Sequence, residues 1–231
     1  MTGDRMAVVV RDLAAKGIGR RRLPAAVSAT CASLLDIDHS GLLLADDDGN
    51  LTALATTTPM MALVEDLEVT LGAGPCTEAY RHGRPVEETD LAGADHSRWL
   101  GFDSPALAAG VRAVFAFPLQ VTGASIGSLN LARLEPGALT GNQHLDAEAL
   151  AGVVAQLLVT LPIDTAGGAL ELDHLVHHRA VVHQATGMVG AQLDVTMAVG
   201  LALLRARAFA DDRALDKVAA DVLEHRLRFD T

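Results

Sequence analysis

Apolar and polar positions change rhythm several times along the chain. Residues 5–35 carry helical spacing, with Leu13, Val27, Leu34 and Leu35 on apolar faces and a break at Gly17, Gly19 and Pro24. GLLLADDDGNLTALATT then places two β-like runs around a turn-rich Asp-Asp-Gly-Asn cluster and predicts a hairpin. Helical spacing returns over 60–69 and 76–82, with Pro75 suited to a first helical turn and Gly83 to a stop. VRAVFAFPLQV and SIGSLNLARL predict a second hairpin about Thr122-Gly123, and Pro118 within it points to a strand end or an edge. Gln143 to Leu161 is helical again through Leu145, Leu150, Val153, Val154, Leu157 and Leu158. Strands bracketed by helices predict an α+β domain over residues 1–161, an antiparallel sheet with flanking helices.

PIDTAGGA, residues 162–169, combines Pro, Gly and small polar residues and is the expected linker. Beyond it no strand pattern appears. Three helices are expected, over about 170–193, 197–210 and 214–228. Asp194 or Thr196 suits the N-cap of the second, and Asp212 or Asp216 that of the third. The C-terminal domain, 170–231, is therefore small and all-helical.

Composition narrows the class. The 231 residues are 50% hydrophobic but only 3% aromatic, so Ala, Val and Leu build the core. No apolar run reaches the roughly 18 residues of a membrane span, and the N-terminus lacks a signal-peptide pattern; a cytoplasmic protein without membrane contact is expected. The net charge is −11. Residues 1–170 hold 11 basic and 20 acidic residues (−9), and 171–231 hold 7 and 9 (−2), so the acidity sits mainly in the first domain. A protein coated for nonspecific nucleic-acid binding is excluded, although a local basic site is not. Cys31 and Cys76 lack the spacing of a zinc site or disulfide framework. His174, His177 and His178 lie close in LDHLVHHRAVVH, but without a metal-ligand signature such as HExxH, so no metal or cofactor is expected. Nor does a Ser-His-Asp set or phosphate loop suggest an enzyme.

LGAGPCTEAYRHGRPV (71–86), Asp90, Trp99, Phe102 and GVRAVFAFPLQVTGASIGSLNL (110–131) resemble a GAF domain, over most of residues 20–160. HQATGMV, followed by AVGLALLRARAFADDRALDKVAADV, resembles the ANTAR domain of bacterial transcription antiterminators. In this order the two are similar to actinobacterial GAF–ANTAR regulators. The resemblance implies a sensor of a small molecule or partner governing a three-helix RNA-binding output, acting as a homodimer on paired RNA stem-loops. It also implies a ligand cavity between sheet and connecting helices, walled by Cys76, Trp99, Phe115 and Phe117. Many ANTAR domains have Lys where this chain has Thr186, which removes a phosphate-binding charge.

Within the first C-terminal helix, His183, Thr186, Gly187, Gly190 and Asp194 fall on one face, opposite Val181, Val182, Ala185, Met188 and Val189. Mid-helix glycines cost stability, about 1 kcal/mol each relative to Ala, so the expectation is an outward face approached by another backbone. RNA or a partner helix would serve. With RNA, Arg179, His183, Thr186, Gly187 and Gly190 form the contact, extended by Arg205, Arg207, Arg213 and Lys217. Two other classes stand beside this reading. The last two helices could be a DNA-binding helix-turn-helix, though Asp216, Asp221 and Glu224 suit a phosphate-lined groove poorly. Some GAF proteins are free methionine sulfoxide reductases, which need reactive cysteines.

Overall fold

A computed structural model of the chain describes residues 23–46, 49–95, 97–160, 170–211 and 213–229, with the side chains of 170–180 and Ala198 excepted. The expected break at Gly17 and Gly19, the linker 162–169, the Asp212 cap and the side chains of Arg179, His174, His177 and His178 lie outside the described residues.

Helix α1 (Leu23–Leu35) leads into strands β1 (His39–Ala45) and β2 (Leu51–Thr56), which pair antiparallel as the first expected hairpin. Next come α2 (Pro59–Leu71), α3 (Pro75–His82), the short β3 (Val86–Glu88) and α4 (Asp103–Ala108). The periodicity did not reveal β3 or α4, both too short to show a repeat. Strands β4 (Ala113–Val121) and β5 (Ala124–Arg133) form the second hairpin, and α5 (Gly141–Thr160) follows. The sheet is antiparallel throughout, in the order β2-β1-β5-β4-β3.

Local chemistry explains the boundaries. Thr122 and Gly123 both have positive φ, 50° and 85°, as a two-residue turn matched to the strand twist requires. Thr58 caps α2, its side chain accepting from Met61 N at 3.2 Å, with Pro59 in the first turn. Gly72 ends the helix at φ 64° and returns its N–H to Glu68 O at 2.8 Å. Strand β3 pairs only with Val114–Ala116, so β4 is a free edge by Pro118, where a missing N–H is tolerated.

The sheet is covered on both faces. Against one, α1 and α5 pack Val27, Cys31, Leu35, Leu150 and Val154 onto Leu42, Phe115, Phe117, Leu119, Leu129 and Leu131. Against the other, α2, α3 and α4 pack Met61, Val64, Cys76, Ala79 and Ala106 onto Leu43, Val114, Ala116 and Ala132.

Helices α6 (Leu170–Leu193), α7 (Met197–Ala210) and α8 (Leu215–Leu223) enclose a third core of Ala185, Val189, Leu204, Ala208, Leu215, Val218, Ala219 and Val222. Thr196 caps α7, accepting from Val199 N at 3.4 Å. Helix α8 ends earlier than the pattern suggests, because His225 turns to φ 59° and the N–H groups of Arg226 and Leu227 both return to Asp221 O. Among the described residues, no helix is long and apolar enough to cross a membrane.

Candidate functional site

The second face of the sheet carries polar groups that a simple core would not contain. Glu65 and Glu68 lie on the apolar stripe of α2 with Met61 and Val64, and all four are buried. Below them the sheet offers Gly41 of β1 and Ser128 and Asn130 of β5, with Gly41 directly opposite Asn130. A Cβ at Gly41 would collide with Glu65 Oε1, and one at Gly74 would stand 2.6 Å from Glu68 Oε2. These two glycines make the room that the carboxyl groups occupy.

Gly74, at φ 144°, and Pro75 open α3 beside this cluster, and the first N–H groups of that helix need an acceptor. Such a helix terminus can hold an anion, but here the chain fills it itself. Glu68 Oε2 accepts from Cys76 N at 2.8 Å and Thr77 N at 3.3 Å, and Asn130 Nδ2 donates to Glu68 Oε1 at 3.5 Å. Burial pushes the Glu68 carboxyl up to about 8, against the opposing pull of those N–H groups. Burial and then the charge of Glu68 push Glu65 well above the carboxylate range. Glu68 has the donors, so it is the better seat for a negative charge and Glu65 for a proton. The same two causes push the Cys76 thiol up.

Hydrogen bonding is incomplete here. Glu65 Oε1, Glu65 Oε2 and Asn130 Oδ1 are buried and find no partner among the described residues. An orphaned buried polar atom costs about 1–3 kcal/mol, so the cluster is a local expense in stability. Asn130 Oδ1 is an acceptor, and a protonated Glu65 offers one acceptor oxygen and one O–H, so a small polar group bearing N–H or O–H donors would satisfy them.

Of the four expected wall residues, Cys76 belongs to this cluster. Trp99 lies on the same face, 4% exposed, edge-on to Phe102; its Nε1 donates to Glu78 Oε2 at 3.0 Å and Arg98 stacks 4.4 Å from its ring centroid. Phe115 and Phe117 are a correction. They alternate with Val114 and Ala116 along β4 and therefore point to the opposite face, into the core under α1 and α5. Glu65, Glu68, Ser128 and Asn130 escaped the sequence reading. Their signal was two glutamates three residues apart on the apolar stripe of MMALVEDLEVTL, and polar residues alternating in a strand whose two faces are both covered.

The family model described as GAF domain matches residues 21–159. The chain belongs to the GAF domain family. Solved structures agree on the fold of this part. The GAF domain from Acinetobacter phosphoenolpyruvate-protein phosphotransferase superposes with a TM-score of 0.52 at 12% identity, covering 73% of this chain and 95% of that chain. The corresponding GAF domain from Coxiella burnetii has a TM-score of 0.52 at 16% identity, over 68% and 94%. A domain of a putative two-component sensor histidine kinase from Sinorhizobium meliloti has a TM-score of 0.50 at 16% identity, over 62% and 93%. Comparison with curated proteins gives no match.

Outside the GAF domain, the helical residues named as RNA contacts separate into groups. His183 is exposed, and Gly187 is half-buried, its missing Cβ 3.9 Å from Met197 Sδ. Thr186 and Gly190 are buried, contrary to the expected outward face. Thr186 Oγ1 donates to Val182 O at 2.7 Å. A Cβ at Gly190 would meet Val195 O at 3.1 Å, and one at Gly200 would meet Thr186 O at 2.8 Å. Thus α7 crosses α6 at Thr186 and Gly190, while Ala185 and Val189 enter the common core. A helix with two neighbours buries a wider arc than one stripe. Arg207 pairs with Asp211 at 2.6 Å, Arg213 with Asp221 at 2.6 Å and Lys217 with Asp216 at 3.6 Å; all three bases are exposed. Arg205 does not join them. Its Nε donates to Val69 O at 3.2 Å and its Nη2 to Asn50 Oδ1 at 3.4 Å, both in the GAF domain. Among the described residues, no group of three or more His, Cys, Asp or Glu could hold a metal.

Proposed function

We propose that this protein is a two-part regulator. Its GAF domain senses a small, donor-bearing molecule through the face that holds Glu65, Glu68, Cys76 and Asn130. The helical domain is its output, an ANTAR-like RNA-binding module working as a homodimer on paired stem-loops, in transcription antitermination in the cytoplasm. The observation that carries the sensing half is the set of unpartnered polar atoms, Glu65 Oε1, Glu65 Oε2 and Asn130 Oδ1, buried among well-packed apolar residues. A scaffold keeps such atoms at a cost in stability, and a ligand supplying donors offsets that cost.

The output half is supported by HQATGMV and the following helix pair, and by exposed His183, Arg207, Arg213 and Lys217. Phosphate contacts need such exposed bases, and loop recognition needs donors beside them. Helix α8, LDKVAADVL, carries Asp216 and Asp221 against Lys217, which leaves a DNA-reading helix short of positive charge. A reductase reading is disfavoured by the thiols. Cys31 and Cys76 are buried on opposite faces of the sheet, and burial pushes Cys31 up to about 12.

Crosslinking in cells followed by sequencing of bound RNA tests the output. The expected result is a consensus of two adjacent hairpins; enrichment of duplex DNA, or of no nucleic acid, would overturn it. The sensing half is tested by thermal-shift screening of small amines and alcohols against the wild type and Glu65→Met. Stabilisation confined to the wild type is expected, and an equal response in both excludes this face as the site.

A further inference from the structure

One helix of the GAF domain serves two regions at once. Glu65 and Glu68 of α2 hold the buried polar cluster, and Val69 and the following residues, less than one turn later, meet the helical domain. Val69 packs against the third core and its carbonyl accepts from Arg205. Phe209 of α7 covers Gly101, where a Cβ would be 3.2 Å from its ring and 3.3 Å from Leu71 Cδ2. A small cavity of about 20 Å³, room for a single water, lies between them, lined by Glu68, Thr77 and Gly72 on one side and Arg205 on the other.

We propose that Arg205 is a latch that docks the helical domain on the C-terminal end of α2, withholding this charge from a polyanion until a change at the Glu65–Glu68 cluster displaces that end. The proposal rests on the sensor-and-output reading above and specifies how the two parts communicate.

The physics of the contact suits a reversible device. Carbonyls at a helix C-terminus attract cations, and Arg205 takes Val69 O while Arg81 takes Gly72 O at 3.4 Å. The cost is also visible: burial, and then repulsion from Arg81, pull the Arg205 guanidinium below its ordinary range. Arg205 donates to neutral oxygens, Val69 O and Asn50 Oδ1, and the Asp46 carboxylate nearby opposes those two effects and favours its charge, so the hydrogen bonds that hold the docked state lack the strength of a bidentate carboxylate pair. Arg207, Arg213 and Lys217 stay exposed in the docked state. Release therefore adds Arg205 to bases already presented. The coupling path is short, because a ligand that draws Glu68 away from the α3 N-terminus moves the residue bonded to Val69.

The test uses the full chain with spin labels on Ala92→Cys and Ala202→Cys, both exposed positions in different domains; the native thiols are buried. Distance distributions are compared with and without Arg205→Ala, and with Asn50→Ala, which weakens the latch from the sensor side while leaving Arg205 in place. One short distance is expected for the parent. Each variant should show a second, longer population, with the ratio of docked to released molecules falling about tenfold, the worth of a hydrogen bond to a charged group. Unchanged distributions in both variants overturn the latch. Binding to a paired-hairpin RNA is measured alongside, and Asn50→Ala should bind more tightly than the parent. If Asn50→Ala releases the domain but binds RNA no more tightly than an RNA-binding parent, the withholding of charge is overturned. Absence of RNA binding in every form counts against the output reading alone, and the distances still decide the latch.

Discussion

The two faces of the GAF sheet are built from the same strands and behave differently. Towards α1 and α5 the strands present Leu42, Phe115, Phe117, Leu129 and Leu131, an apolar layer whose atoms need only packing. Towards α2 and α3, the intervening residues Gly41, Ser128 and Asn130 lie under two buried glutamates, and both carboxyl oxygens of Glu65 and Asn130 Oδ1 are without a partner among the described residues. Period-two alternation lets one strand do both tasks without compromise. One side of each strand carries packing alone, and the other adds a buried polar cluster to its packing.

The largest expected effect separates the faces by pH. Glu65 and Glu68 bind protons more tightly in the folded than in the unfolded protein. Their contribution to stability is therefore full below the unfolded value near 4.5 and is lost as pH rises through about 8 for Glu68. At roughly 1.4 kcal/mol per pKa unit, this shift corresponds to a fall on the order of 5 kcal/mol between about pH 5 and pH 8.5. Urea unfolding across that range should show the fall in wild type, and Glu68→Gln should flatten it; an unchanged slope would mean that this carboxyl is not buried as described. Next in size, Leu129→Ala on the apolar face should destabilise by about 2–5 kcal/mol at every pH, read from the urea midpoint. Its neighbour Ser128→Ala faces the cluster and removes an Oγ that donates to Phe117 O at 3.3 Å. It should cost only about 1 kcal/mol, and a larger loss than Leu129→Ala would reverse the comparison.

Much of the fold was legible because it rests on local rules. The turn at Thr122-Gly123, the Thr196 cap and the helical stretches of both domains follow from residue chemistry within a few positions. The face assignment was not legible. Alternation along β4 separates Phe115 from Val114 but does not say which set meets α2, since both faces of this sheet are covered. For the same reason the alternation of Ser128 and Asn130 with Leu129 and Leu131 does not tell a solvent-facing side from a covered one. Glu65 and Glu68 share the apolar stripe of α2 with Met61 and Val64, and only the fold reveals that this stripe lies over the sheet's polar positions. In α6, the outward face expected of the two glycines is absent at Gly190, which is buried with a Cβ position 3.1 Å from Val195 O, while Gly187 has only an ordinary contact with Met197. The partner at Gly190 is the turn before α7, which sequence spacing could not distinguish from a partner outside the chain.

The seating of Glu68 on the first N–H groups of α3 has a consequence for selectivity. A side chain anchored on the preceding helix, at Glu68, acts as an internal competitor, present at a very high effective concentration because it never diffuses away. A free phosphate or carboxylate arriving at the same N–H groups must displace it and also tolerate two carboxyl groups nearby. The fold thereby discriminates against anions before any ligand arrives, and the helix terminus that would otherwise welcome them is already occupied from within.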